Sequence, residues 1–134
     1  MTPAEFLALA PRDQNALVAE NVMGLTVKNW QGDREGDPGA GWYLVAKDGI
    51  LRDEVPHFST AISAAWEVIP TLRGIDPYGR GPWLRVDWDG TVDLAPPCIV
   101  TLRRNGQQIF RRETTWDGVP EAICLAALIA KGAV

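Results

Sequence analysis

Four arginines stand two and two around Asn105-Gly106, at Arg103, Arg104, Arg111 and Arg112, and they form the densest positive charge in a chain of net charge −4. A guanidinium presents its donors as a planar fork, so a pair on one face could grip a phosphate or a carboxylate through two parallel hydrogen bonds. If Asn105-Gly106 makes a two-residue hairpin turn, Arg104 and Arg111 share one face and Arg103 and Arg112 the other. The same four charges would also fringe an edge strand and discourage edge-to-edge pairing. Tryptophan is the second unusual feature, with six in the chain. Trp66 lies on a helical apolar stripe and Trp88 on an alternating strand, which predicts core positions for both. Trp30, Trp42, Trp83 and Trp116 flank loops, where an indole can stack on a base, anchor a partner or simply cover a sheet edge. The candidate ligand-binding set is therefore Arg103, Arg104, Arg111, Arg112, Trp42, Trp83 and Trp116.

Other residues that could do chemistry are weaker. His57, the only histidine, lies two residues from Ser59, a base-and-nucleophile pairing in principle. Ser59 is better used to start a helix, and the Gly-x-Ser-x-Gly elbow is missing. Asp87, Asp89 and Asp93 cluster as in a calcium loop, but the spacing and last ligand of an EF-hand are wanting, and Asp89-Gly90 reads as a hairpin turn. The glycine-rich stretches 32–41 and 74–82 lack the Lys-Ser/Thr ending of a phosphate-binding P-loop. No catalytic residue, metal-ligand set or cofactor is assigned.

The elements that must position these residues follow from pattern and punctuation. Helices are predicted over 3–9 and from Asp13 to Met23, the latter capped by Asp13 and closed by Gly24, with Leu17, Val18, Val22 and Leu25 on its core face. Strands follow at 26–30, 41–46 and 50–51, the last two joined at Asp48-Gly49. A helix capped by Ser59 or Thr60 carries Ile62, Ala65, Trp66 and Ile69 at i, i+3, i+4 and i+7 and stops or kinks near Pro70. Leu84, Val86 and Trp88 alternate as one strand, which turns into 91–94, and 98–104 with 107–113 makes the hairpin that carries the arginines. A final helix over 120–131 is apolar around most of its circumference, so sheet, helix or a second subunit must cover it. The fold class is α+β, with a mainly antiparallel sheet and helices packed on it.

Length suits one domain over residues 1–134, and hydrophobic and charged shares of 46% and 22% are those of ordinary globular proteins, which excludes disordered and fibrous classes. The acidic balance argues against a double-stranded nucleic-acid binder, whose affinity rests on clustered cations releasing counterions. Cys98 and Cys124 sit in apolar surroundings, as reduced thiols of a cytoplasmic protein do, and neither a signal peptide nor an apolar run long enough to cross a membrane is seen.

Three segments, Leu17–Gly24, Val55–Ile69 and Val119–Leu128, resemble in this order the phage ABA-sandwich domain family, a set of small bacteriophage proteins. The resemblance implies phage origin and an alpha/beta/alpha sandwich, with helices on a central sheet. It implies no catalytic residues, because the shared segments are caps, turns and apolar stripes. The chain departs from the pattern at Leu25, where relatives carry Trp, at Ala61, where they carry Asp, and at Pro70. The expectation is a non-enzymatic phage protein acting by binding in the cytoplasm of the infected host. It would hold a small anionic, nucleotide-like ligand or block a host protein, as some small phage proteins do to counter host defence. The alternatives are a metal-dependent nucleotide hydrolase using Asp87, Asp89 and His57, and a virion assembly or accessory protein. The apolar last helix is also compatible with a homo-oligomer.

Overall fold

The computed structural model describes residues 1–31, 39–72, 82–88 and 98–134. The predicted strand at 91–94, residues Asp89 and Asp93, and most of the two glycine-rich stretches lie outside them. Helix α1 (Pro3–Ala8) opens with a capping box: the Thr2 hydroxyl accepts the Glu5 N–H at 3.2 Å while the Thr2 N–H donates to the Glu5 carboxylate at 2.7 Å. That N–H holds the Glu5 carboxyl below its usual range.

Helix α2 (Pro11–Asn21) starts at Pro11, earlier than the predicted Asp13. Proline's fixed φ suits the first helical position, where its missing N–H costs nothing. Asp13, freed from capping, accepts the Trp42 indole N–H at 2.8 Å. Gly24, at φ +68°, closes the end in the left-handed conformation expected of it. The buried face comprises Gln14, Asn15, Val18, Ala19 and Val22, with Leu17 packed at its margin. Leu25, placed on that face by periodicity, is exposed because it follows the reversal at Gly24.

The described strands pair antiparallel in two groups. β1 (Val27–Trp30), β2 (Gly41–Val45) and β3 (Leu51–Glu54) form one three-stranded sheet in chain order. The β2–β3 turn carries Gly49 at φ +81°, and the Asp48 carboxylate accepts the Ile50 N–H at 3.0 Å. β4 (Trp83–Trp88), β5 (Cys98–Arg104) and β6 (Gln107–Thr114) form the second, with β5 in the centre. The α+β class and the antiparallel pairing are as predicted.

Helix α3 (Ile62–Val68) runs straight into a 3-10 turn over Ile69–Leu72 that accommodates Pro70. Its buried stripe is Ala65, Val68 and Leu72, and Trp66, predicted in the core, is 46% exposed. The 3-10 continuation brings Leu72 onto the packed side, which centres the stripe on Val68 and turns Trp66 outward. Ser59 does not cap α3. The N-cap is Ala61, which supplies no side-chain acceptor for the first-turn N–H groups. Ala61→Asp should therefore stabilise the chain by about 1 kcal/mol, read as a higher urea midpoint at unchanged m-value.

Helix α4 (Val119–Ala130) has Pro120 in its first turn and packs on β5, β6, α2 and α3. Only Glu121 and Ile129 of its twelve residues are not fully buried. The cover its sequence demands is thus supplied within one chain. Cys98 and Cys124 are both buried and unpaired, and burial pushes both thiols up, with the Glu121 charge adding to the effect at Cys124. A thiol so raised stays protonated and unreactive.

Candidate functional site

Asn105 and Gly106 adopt φ +53° and +76°, the two left-handed positions of the tight turn that the sequence predicts. The arginine faces nevertheless differ from prediction. Val100 pairs with Arg112 and Leu102 with Phe110, but Arg103 pairs with Gln108, so Ile109 has no opposite number. One extra residue on β6 is a β-bulge, and it reverses the parity of everything beyond it. Arg104 therefore shares the inner face with Arg112, and Arg103 shares the outer face with Arg111.

The inner pair is engaged by the fold. Arg104 Nη2 donates to the Ala130 carbonyl at the end of α4. Arg112 Nη2 pairs with Glu121 Oε1 at 3.1 Å, and Glu121 Oε2 accepts from Gln14 Nε2 at 2.9 Å. The other N–H of that amide reaches the Phe6 carbonyl at 3.1 Å. A chain of polar contacts thus ties α1, α2, α4 and β6 together, and it leaves Arg112 Nη1 buried without a hydrogen-bond partner among the described residues.

On the outer face, cross-strand register builds three rows. Asp87, Ile99 and Glu113 form one; Arg85, Thr101 and Arg111 the next; Trp83, Arg103 and Gln108 the third. Arg85 pairs with Asp87 at 2.8 Å and Arg111 with Glu113 at 2.7 Å. The third row is the one that opens: Trp83 is 64% exposed, Arg103 lies opposite it, and the two line a hollow of about 500 Å³ with Asn105 and Gly106. An exposed indole beside an exposed guanidinium can take a flat ring and an anionic group together. Arg85 and Asn105 were not among the predicted site residues. The alternation of β4 signals the first, because Leu84 and Val86 face inward; the second was visible only as a turn former.

The fold is similar to that of a phage protein. That protein, from Bacillus cereus ATCC 14579, has a crystal structure that superposes with a TM-score of 0.60 at 23% sequence identity, covering 92% of this chain and 88% of the other. No family model matches the chain, and no curated protein matches it.

The remaining candidates are dispersed. Trp42 is half-buried, its indole N–H held by Asp13. Trp116 is 49% exposed and meets Trp88 with ring centroids 6.4 Å apart and planes tilted by 59°. Trp88, predicted in the core, is 65% exposed at the end of β4, the outer of the three described strands of its sheet. Trp30 is half-buried, with Lys28 Nζ 5.4 Å from its ring centroid. Ser59 is buried, and its hydroxyl lies 2.8 Å from Asn15 Oδ1; His57 faces Glu54 at 3.7 Å. The serine and the histidine are thus engaged with different partners.

Proposed function

We propose that this chain is a bacteriophage protein that acts by binding, and that it holds a small anionic ligand with a flat ring, a nucleotide or a close analogue, on the outer face of the β4–β6 sheet. The observation that carries this reading is the placement of Trp83 directly opposite Arg103 at the mouth of the hollow. Stacking of a base on an exposed aromatic contributes about 1–3 kcal/mol, and a forked guanidinium–phosphate contact adds charge and direction. Arg111, on the same face, is paired with Glu113 at 2.7 Å, which leaves Arg103 to supply the positive charge. Phage origin is supported by the similarity in fold and by the three segments that resemble the phage ABA-sandwich domain family. A role in the host cytoplasm, sequestering a signalling nucleotide as a counter-defence, is the biological form this binding would take.

Calorimetric titration with a nucleotide panel tests the reading. Trp83→Ala and Arg103→Ala should each weaken the bound nucleotide by about tenfold or more, which is about 1.4 kcal/mol, with melting temperature nearly unchanged. Wild-type protein that binds no member of the panel, or variants that bind as wild type, would overturn it. A second reading, obstruction of a host protein, is favoured by the exposed Trp88–Trp116 pair.

A further inference from the structure

A separate cavity of about 280 Å³ lies beside the first sheet, walled by Arg12 and Asn15 of α2, Gly41 and Trp42 of β2, Glu54 at the end of β3, and His57. Asn15 is only 5% exposed, and its Oδ1 accepts from both the backbone N–H and the hydroxyl of Ser59 at 2.8 Å. Those two bonds fix which way the amide points. Ser59 is not part of the wall, so the group Asn15 offers the cavity is its Nδ2, which has no protein acceptor among the described residues. That N–H reaches the solvent in the cavity, so it is free to donate to a bound molecule as it does to water.

The surroundings indicate what that molecule is. Arg12 carries a largely exposed guanidinium, its Nε 3.8 Å from the Asp13 Oδ1 that also accepts the Trp42 indole N–H. His57 adds an imidazole, and Glu54, the one carboxylate in the wall, stands at 3.7 Å from it. The Trp42 ring, anchored through its N–H, forms an apolar side.

The geometry points to a second binding site, independent of the Trp83–Arg103 hollow, for a small molecule bearing an oxyanion. Arg12 and Asn15 Nδ2 hold the carboxylate or phosphate oxygens, the body of the molecule lies on Trp42, and Glu54 accepts from an ammonium or hydroxyl on it. The volume suits a compound of about amino-acid size, below the range of drug-sized pockets.

Titration of the isotope-labelled full chain with acetate, glycine and inorganic phosphate, followed by NMR, tests this. Saturable shifts of the Asn15 side-chain amide and the Trp42 indole are expected with at least one probe. Saturation by phosphate alone assigns a phosphate ester, and saturation by acetate or glycine assigns a carboxylic acid. Asn15→Asp keeps an acceptor for Ser59 but replaces the donor with a negative charge, and Arg12→Ala removes the cation; each should weaken binding at least tenfold. Arg103→Ala should leave this titration unchanged. Should Asn15→Asp fail to fold, Arg12→Ala, at an exposed position, decides alone. No shift with any of the three probes, or an Arg12→Ala protein that titrates as wild type, overturns the assignment.

Discussion

Glu121→Ala should lower the stability of this protein by roughly 2 kcal/mol, enough to move the urea midpoint visibly at constant m-value. The carboxylate accepts from Arg112 on one oxygen and from Gln14 on the other, so its loss strands a guanidinium and an amide at once. A fully buried pair would cost more when broken, but Arg112 and Glu121 retain 31% and 27% side-chain exposure, and water offsets part of the loss. Replacing both partners by apolar residues of similar volume, Arg112→Met with Glu121→Leu, should recover the part of the loss that the stranded guanidinium causes, while the Gln14 amide still lacks its acceptor. If the double variant is as unstable as the single one, the contact is not the source of the effect.

The larger loss is expected at Ile123→Ala, about 3 kcal/mol, because this side chain is fully buried in a helix that the core surrounds. With β5, β6, α2 and α3 all against α4, no side is free to collapse into the space left behind. Ile129→Ala, on the same helix but half-buried, should cost about 1 kcal/mol. Comparable losses at the two positions, measured by chemical denaturation, would mean that α4 is not enclosed as described.

Local signals explain why some elements could be read from the chain and others could not. Val119–Ala130 is apolar on nearly every side, and Asn105-Gly106 specifies a turn, so both are visible without coordinates. The bulge at Ile109 is not. Strict alternation would bury Ile109 opposite Leu102, whereas the extra residue places the larger Phe110 there and leaves Ile109 39% exposed. The gain is tertiary, since burying the aromatic ring also sets Arg112 beside Glu121, a partner in another element. Helix starts failed for a related reason. Ser59 and Asp13 are good caps by type, yet Asn15 and Trp42, distant in sequence, claim them. Trp66 and Trp88 show the limit of periodicity, which finds an apolar stripe but not the partner that covers it.

In the candidate site, the sequence named Trp83, Arg103 and Arg111 by residue type and hairpin position, and the register places them on one face. It could not separate them from Arg104 and Arg112, because that division depends on the bulge. Nor could it find the Asn15 cavity, since an asparagine on an amphipathic helix carries no mark of an orientation fixed by Ser59.

The indole N–H region of the NMR spectrum gives the most direct test of the central claim, because each of the six tryptophans contributes its own signal. On addition of a nucleotide, the Trp83 signal should shift and saturate, together with the Arg103 backbone amide, while Trp42 and Trp116 stay in place. Saturable shifts confined to Trp116, or a spectrum that no nucleotide changes, would contradict the account.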